Sequence, residues 1–504
     1  MLTFVAIKLN KTMKRFFLTV CCLMAVVTMV QAATPRKKTT VASNKPYQIL
    51  VISDTHLLAP ELCDNGAAAQ RLAHNDMKLV MQSDELIQGF VDWAIGQKPD
   101  LVLITGDLTF NGERASHQRL ATHLARLAQN GVPTLVVPGN HDISNPNAKQ
   151  YRGDKATIAP TITRDEFAQI YAPYGYDTHS RRDSASLSYA CEPIPGLVVL
   201  GIDTNRDEEN RLIARGDTVN KYHNGGRVKP ATLQWLQEQA RQASAQGKRV
   251  IAMMHHHLLE HIDGEARYLK DYIITDHATV AQALAQCGVH AVFTGHLHIT
   301  DAVTSGTVTD IATGSLSTYP MPLRVATLDR SLHSLCIDTQ FASFGPNNHL
   351  QQQGRDLVER NVPTEVNLLV SKMWPRVKEK SGQMLAFLAA SGVDVSRVPD
   401  NPRDASALLL NHMREPFTQI LLNVTRGGED PQQAGAIYDA VTQGVKDIAA
   451  DIFPPQVAND MGDFFIQNLL PRIQPTMHSA LEDRNQVGKS DESHTPDHRL
   501  TIQF

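Results

Sequence analysis

From Tyr47 onward, short apolar runs alternate with amphipathic stretches, a pattern that predicts an α/β layer fold. Residues 48–53, 101–105, 134–137, 197–202, 249–254 and 291–294 are apolar runs of strand length. Between them, Leu86, Phe90 and Ala94 recur at helical spacing, as do Leu120, Leu124 and Leu127 ahead of the stop signal Asn130-Gly131. Residues 230–246 and 278–286 have the same helical texture. Runs at 308–311, 324–328 and 333–339 follow without long helices between them, so the sheet is expected to be mixed. Residues 143–190 keep neither period and read as a long irregular insertion carrying Tyr151, Tyr171, Tyr174 and Tyr176. Those rings either form the insertion's own small core, the favoured reading, or stack on a base.

Past residue 350 the pattern turns helical, and residues 351–485 are expected to form a helical accessory domain. Asp430-Pro431-Gln432-Gln433 is a helix start, with an Asp cap and Pro in the first turn. Ile437, Val441, Val445, Ile448 and Ile452 then make one stripe, ended by Pro454-Pro455. The remainder, 486–504, reads as a polar tail.

The other end has a different character. Lys8, Lys11, Lys14 and Arg15 precede the apolar run 16–30, and Val30-Gln31-Ala32 stands before Ala33. Basic, apolar, then small residues is the order of a secretory signal. The expectation is a signal peptide over 1–32, a polar linker over 33–46 and a protein that is exported, periplasmic or secreted. The run is short for a membrane span, so none is expected in the mature chain. Past the signal, Cys63, Cys191, Cys287 and Cys336 are far apart with no CxxC pair, which argues against a zinc knuckle. Export permits disulfides, the three possible pairings stay open, and Cys287 reads as a small core residue.

Composition narrows the function classes. Apolar residues make up 42% of 504, enough for a sizeable core. Lys and Arg number 48 against 52 Asp and Glu, a net charge of −4, so nothing marks a nucleic-acid-coating protein. Histidine is frequent, at 21, and many of these residues are placed rather than scattered.

The placement is at strand ends. The apolar runs lead into Asp54-Thr55-His56, Gly106-Asp107, Gly139-Asn140-His141-Asp142, His255-His256-His257 and Gly295-His296-Leu297-His298. In α/β sheets the carboxyl ends of strands share one rim, where ligands bind. Oxygen and imidazole donors without thiolate suit Mn, Fe or Zn. There are more donors than one ion takes. A pair of ions about 3.5–4 Å apart would use them, with Asp107 placed to bridge.

This ordered series resembles the calcineurin-like metallophosphoesterase family, with every block present over 54–298. Asp64-Asn65-Gly66, Ser83-Asp84-Glu85-Leu86, Gly106-Asp107-Leu108-Thr109-Phe110-Asn111-Gly112-Glu113 and Val137-Pro138-Gly139-Asn140-His141-Asp142 resemble its bacterial cyclic-nucleotide-phosphodiesterase-like branch. The resemblance implies a two-sheet sandwich flanked by helices, spanning 47–350. It also implies that Asp54, His56 and His298 hold one metal, Asn140, His255 and His296 the other, and that Asp107 bridges. The family's fourth block is commonly His-x-Pro. Here it is His255-His256-His257, and His255 is taken because it comes first after the strand, with His256 as the alternative.

The function implied is an exported dinuclear-metal phosphoesterase acting on a small-molecule phosphate ester. It would hydrolyse phosphodiesters, with cyclic nucleotides as candidates, by attack of a metal-bridging hydroxide. His141 is expected to be the general acid for the leaving oxygen, oriented by Asp142; the alternative is that His141 only binds substrate or loop. A phosphomonoesterase of nucleotidase or acid-phosphatase type is the runner-up. A metal-free binding module recruiting partners through the C-terminal helices is the reading from another class, and the filled ligand set argues against it.

Overall fold

The structure, a computed structural model, describes residues 45–210, 222–343, 349–427, 431–468, 470–482 and 498–504. The signal peptide 1–32, most of the linker 33–46, the Asp430 cap and most of the tail 486–504 lie outside the described residues. In chain order the strands are β1 (Tyr47–Ile52), β2 (Leu101–Ile104), β3 (Thr134–Val136), β4 (Lys149–Arg152), β5 (Lys155–Ile158), β6 (Arg181–Arg182) and β7 (Tyr189–Ile194). They continue as β8 (Leu197–Ile202), β9 (Arg249–Met254), β10 (Val289–Thr294), β11 (Asp301–Ser305), β12 (Val308–Ala312), β13 (Pro322–Leu328), β14 (Ser334–Phe341) and β15 (Arg499–Gln503).

Two sheets form the core, one six-stranded in the order β15-β14-β13-β1-β2-β3 and one seven-stranded in the order β11-β12-β10-β9-β8-β7-β6. Both are mixed, as the late strands without helices between them predicted. β1, β2 and β3 run parallel in register Ile52↔Ile104 and Ile104↔Val136, while β13 joins β1 antiparallel. β8, β9 and β10 are likewise parallel. Parallel strands must be joined by crossovers, and the amphipathic stretches supply them: α1 (Ser83–Gln97), α2 (Arg114–Gln129), α3 (Pro230–Ala245) and α4 (His277–Ala285).

The period of two in the seven-stranded sheet explains the layering. Val199, Ile251, Met253 and Phe293 face the six-stranded sheet and join Ile49, Val51 and Leu103 in one core. Val198, Leu200, Val250 and Ala252 face the other way, against Leu236 and Ala240 of α3 and Val280 and Leu284 of α4. Each such side chain fully removed from water contributes roughly 1.5–3 kcal/mol. Arg324 of β13 is wholly buried between the sheets. Its guanidinium donates to the carbonyls of Asp301 (3.0 Å) and Ala312 (2.7 Å) in the opposite sheet, so the apolar core is also stitched by a cation.

The insertion is more ordered than its pattern suggested. It contains the hairpin β4–β5 and a helix, Arg164–Ile170, opened by a Thr163/Glu166 capping box. Tyr151, Tyr171, Tyr174 and Tyr176 are buried, with Tyr171 packed 4.6 Å from Phe167 and Tyr176 5.0 Å from Tyr189. They belong to the core that lies between the two sheets. Cys63, Cys191, Cys287 and Cys336 are free thiols, and Cys287 is buried against the α3–α4 layer.

Beyond β14 come α5 (His349–Ala390), α6 (Pro402–Val424), α7 (Pro431–Ile452), α8 (Pro455–Asn468) and α9 (Leu470–Glu482). Ile437 and Val441 of the α7 stripe pack with Met413 of α6 and Leu481 of α9. No helix among the described residues is long and apolar enough to cross a membrane. The polar-tail expectation for 486–504 is corrected at its end. Residues 499–503 form β15, paired with β14 in register Ser334↔Gln503 through Asp338↔Arg499. Leu500, Ile502 and Phe504 alternate with polar residues, which is why this stretch extends the sheet. The helices are therefore inserted between two neighbouring strands of one sheet.

Candidate metal centre

The parallel registers bring the carboxyl ends of β1, β2 and β3 to one rim, and those of β9 and β10 meet it from the other sheet. At each exit the backbone must turn sharply for side chains from different strands to converge. Asp54, His56, Asp107, His296 and His298 accordingly sit at φ of 52°, 41°, 46°, 74° and 61°. The left-handed region costs a non-glycine residue on the order of 1–2 kcal/mol, and such residues cluster where the surrounding packing imposes them. The loops also touch one another closely. A Cβ on Gly139 would lie 2.2 Å from the backbone N and from Oδ1 of Asp107, and one on Gly295 would lie 1.9 Å from Ser53 Oγ.

The result is a chain of donor atoms with Asp107 in the middle. His298 Nε2 lies 3.2 Å from Asp54 Oδ1 and 3.1 Å from His56 Nε2. His56 Nε2 is 3.7 Å from both Asp54 Oδ1 and Asp107 Oδ2. Asp107 Oδ1 faces the other way, 3.3 Å from His255 Nε2, which is 2.9 Å from Asn140 Oδ1. Three triads, Asp54–His56–His298, His56–Asp107–His141 and Asp107–His255–His296, each bring three such atoms within 4.8 Å of one another.

Hydrogen bonds behind the rings decide which nitrogen faces the centre. His255 Nδ1 donates to the carbonyl of Thr105 (2.9 Å), His141 Nδ1 to that of Phe110 (2.6 Å), and His296 Nε2 to that of Asp271 (3.0 Å). In the neutral form of each ring the other nitrogen keeps its lone pair; His255, which Asp107 and Asp54 push up to about 9 against burial, would have to give up its Nε2 proton to hold a cation. The two readings of the triple histidine separate here. His256 uses both nitrogens, accepting from Thr204 Oγ1 (2.8 Å) and donating to the carbonyl of Asn224 (2.7 Å), whereas His255 reaches Asn140. His257 is bound to Glu265, 2.7 Å away.

Charge follows from this packing. Burial alone would raise the Asp107 carboxyl, but the neighbouring rings, His255 foremost, outweigh it and hold it well below the usual range. Burial also opposes ionisation of Asp54, and His255 and His298 outweigh it. Burial keeps His56 and His296 far below their ordinary value, so these rings are neutral. The donor set is thus two buried carboxylates, an amide oxygen and imidazole lone pairs. Among the described residues Asp54 Oδ1 is buried without a hydrogen-bond partner, a cost that a cation would remove. These residues fit a pair of divalent cations.

One role is corrected. Asp142 does not orient His141. Its carboxylate accepts from the backbone N–H of Leu108 (3.1 Å), Thr109 (2.9 Å) and Gly139 (2.8 Å) and from the Thr109 hydroxyl (2.9 Å). It ties the loop after β2 to the loop after β3, behind Asp107, and burial followed by the Asp107 charge pushes its pKa up to about 7. His141 is oriented instead by the Phe110 carbonyl and by Asn111 Oδ1 at 3.1 Å. Sequence reasoning also missed Tyr222, whose hydroxyl accepts from Asn140 Nδ2 (2.7 Å) and so turns the amide oxygen toward His255. The centre opens into a cavity of about 560 Å3 that is also lined by α5, α6 and α9.

Residues 47–300 match the calcineurin-like phosphoesterase family, and the chain belongs to that family. This makes it a metallophosphoesterase. Among curated proteins it is 27% identical over 282 residues to a cAMP/cGMP dual specificity phosphodiesterase of Mycobacterium tuberculosis, covering 56% of this chain and 70% of that protein. It is 24% identical over 285 residues to a probable cyclic nucleotide phosphodiesterase of Rhodococcus erythropolis, covering 56% and 75%. A solved dimetal phosphatase from Danio rerio is similar with a TM-score of 0.40 and 15% identity, over 58% of this chain and 96% of that one.

Proposed function

We propose that the chain is an exported, dinuclear-metal phosphodiesterase. The observation that carries the dinuclear reading is Asp107, whose two carboxylate oxygens face two different groups of donors, Oδ2 toward His56 and Oδ1 toward His255. Asp54, His56 and His298 would hold one cation, Asn140, His255 and His296 the other, and Asp107 both. Manganese, iron or zinc held there would neutralise the phosphoryl oxygens and raise the acidity of water at the site.

The chain's own groups supply the rest. Tyr222 fixes Asn140, and the carbonyls of Thr105 and Asp271 fix the tautomers of His255 and His296. His141 Nε2 points to Asp107 Oδ2 from 3.8 Å, and its side chain stays 22% exposed on the cavity side. When that ring is protonated, Nδ1–H still serves the Phe110 carbonyl, so the Nε2 proton is free for the departing alkoxide. The diester reading is supported by the two cyclic-nucleotide phosphodiesterase relatives. Paired assays of the manganese-loaded protein on bis(p-nitrophenyl) phosphate, 3′,5′-cyclic AMP and p-nitrophenyl phosphate test it. Diester turnover above monoester turnover is expected. Turnover of the monoester alone would replace this reading with a phosphomonoesterase.

A further inference from the structure

The helices that follow the phosphoesterase core do more than pack on it. They are fastened around the mouth of the metal centre. The backbone N–H of Asp263, in the loop after β9, donates to Ser479 Oγ of α9 (2.6 Å), and Thr476 Oγ1 donates to the Asp263 carbonyl (3.0 Å). Asn361 of α5 donates to the carbonyl of Asp76 (3.2 Å). So fastened, α6 and α9 complete one cavity with His56, Asp107, Asn140, His141, His296 and His298. What they present to it is hydrocarbon: Ile420, Leu421 and Val424 from α6, Met477 and Leu481 from α9. Ile420, Val424 and Met477 are only half-buried by the bundle's own packing, and they also line the cavity. The loop after β9 adds Ile262 and Leu269.

Few groups there could meet a polar substrate. On the α6–α9 side, the hydroxyls of Thr425 and Thr476 already give their protons to the carbonyls of Leu422 and Asp263, and the other polar side chains of the lining apart from the donors at the centre, Lys78, Asn224, Tyr272, Thr318 and Glu365, come from other elements. A ribose or base edge placed against such a wall loses hydrogen bonds to water without replacing them, whereas a hydrocarbon group gains by leaving water. The volume, about 560 Å3, is that of a small-molecule site with room beyond a phosphate.

We infer that α6 and α9 form an apolar subsite continuous with the metal centre, and that the substrate is an amphiphilic phosphodiester: a phosphate at the metals and a hydrocarbon chain of several carbons against Ile420, Val424 and Met477. This rests on the phosphodiesterase reading. It adds the character of the ester group. The helices are then the specificity-determining part of the site, and the strand-end residues the reactive part.

The test uses the full chain loaded with manganese and the methyl, butyl and octyl esters of p-nitrophenyl phosphate, with 3′,5′-cyclic AMP alongside. Since the leaving group is constant in the alkyl series, kcat/KM reports the alkyl chain alone. It should rise at least about tenfold from methyl to butyl, given the usual gain per buried methylene. Val424→Ser in α6 and Met477→Gln in α9 should each shrink the butyl-to-methyl ratio severalfold. Calorimetric titration with methyl- and octylphosphonate gives a second readout, in which the octyl compound binds more tightly. Turnover of the diesters with a flat chain-length series, or with both variants keeping the wild-type ratio, overturns the subsite alone. Failure to turn over any diester overturns the phosphodiesterase reading and the subsite with it.

Discussion

Gly139→Ala is the smallest change that should disable the centre without touching a ligand. The added Cβ would lie 2.2 Å from Asp107 N, 2.2 Å from Asp107 Oδ1 and 2.8 Å from Asp107 Cα, where ordinary contact begins at 3.4 Å. The opposing atoms are mostly backbone, so no flexible tip can swing aside. Nor can Gly139 retreat, because its N–H is held by Asp142 at 2.8 Å. The loop bearing Asp107 must therefore move by about 1 Å, a displacement that typically costs on the order of 100-fold in rate. The overpacking itself should cost about 1–3 kcal/mol of stability. Because the Asp107 oxygens face both groups of donors, metal content should fall at both sites together. Elemental analysis, diester hydrolysis and a thermal melt measure the three consequences. Gly96→Ala is the control, since nothing lies within 4 Å of its Cβ: it should leave metal content and turnover unchanged and, as a helical glycine replaced by alanine, should not lower the melting temperature. Two ions per chain and near wild-type turnover in Gly139→Ala would refute the argument that this contact positions Asp107.

Three further outcomes are expected. His141→Ala should lose about 10²–10⁴-fold on an alkyl leaving group and much less on a nitrophenolate, with metal content unchanged; loss of an ion would make His141 a ligand. His261 is buried between Asp301 (2.8 Å) and Asp310 (3.2 Å), and although burial opposes its charge, these carboxylates push its pKa up to about 10. The folded state thus holds a proton that the unfolded chain releases near its ordinary 6.5. This contribution is complete below that pH and is lost as pH rises toward about 10, so urea midpoints should fall over that window. His261→Ala should lower stability at pH 6 by about 3–5 kcal/mol and flatten the slope. Export predicts that N-terminal sequencing of the mature protein starts at or near Ala33, and an intact start at Met1 or Met13 would sink it.

What could be read from the sequence was what side chains and their periods encode. The parallel strands are buried on both faces, so β1, β2, β8, β9 and β10 appear as plain apolar runs. The converging residues were legible because each stands at the end of such a run. β7 and β11 were not, since Glu192, Pro193, Asp301 and Thr304 interrupt any apolar run along antiparallel strands near the sheet edge. The groups that set ring tautomers, the carbonyls of Thr105, Phe110 and Asp271, belong to the backbone and leave no mark in the sequence. Tyr222 lies 82 residues from Asn140 and ends no apolar run of the sequence, so nothing in the sequence tied it to the site. Asp142 neighbours His141 in sequence but does not touch its ring, because its side chain turns to the backbone behind Asp107, and adjacency along the chain does not encode that.

The placement of β15 bears on how the molecule is made. The edge of β14 is completed by a strand that leaves the ribosome only after α5 to α9, roughly 160 residues later. At common elongation rates that is a wait of about 8–30 s. Throughout it, the hydrogen-bonding edge of β14 is open to pairing with a neighbouring chain, the hazard that unprotected edge strands carry. A nascent chain would need a chaperone over residues 334–341 during that interval, and stalling during synthesis of the helices should yield aggregates rather than a trimmed enzyme.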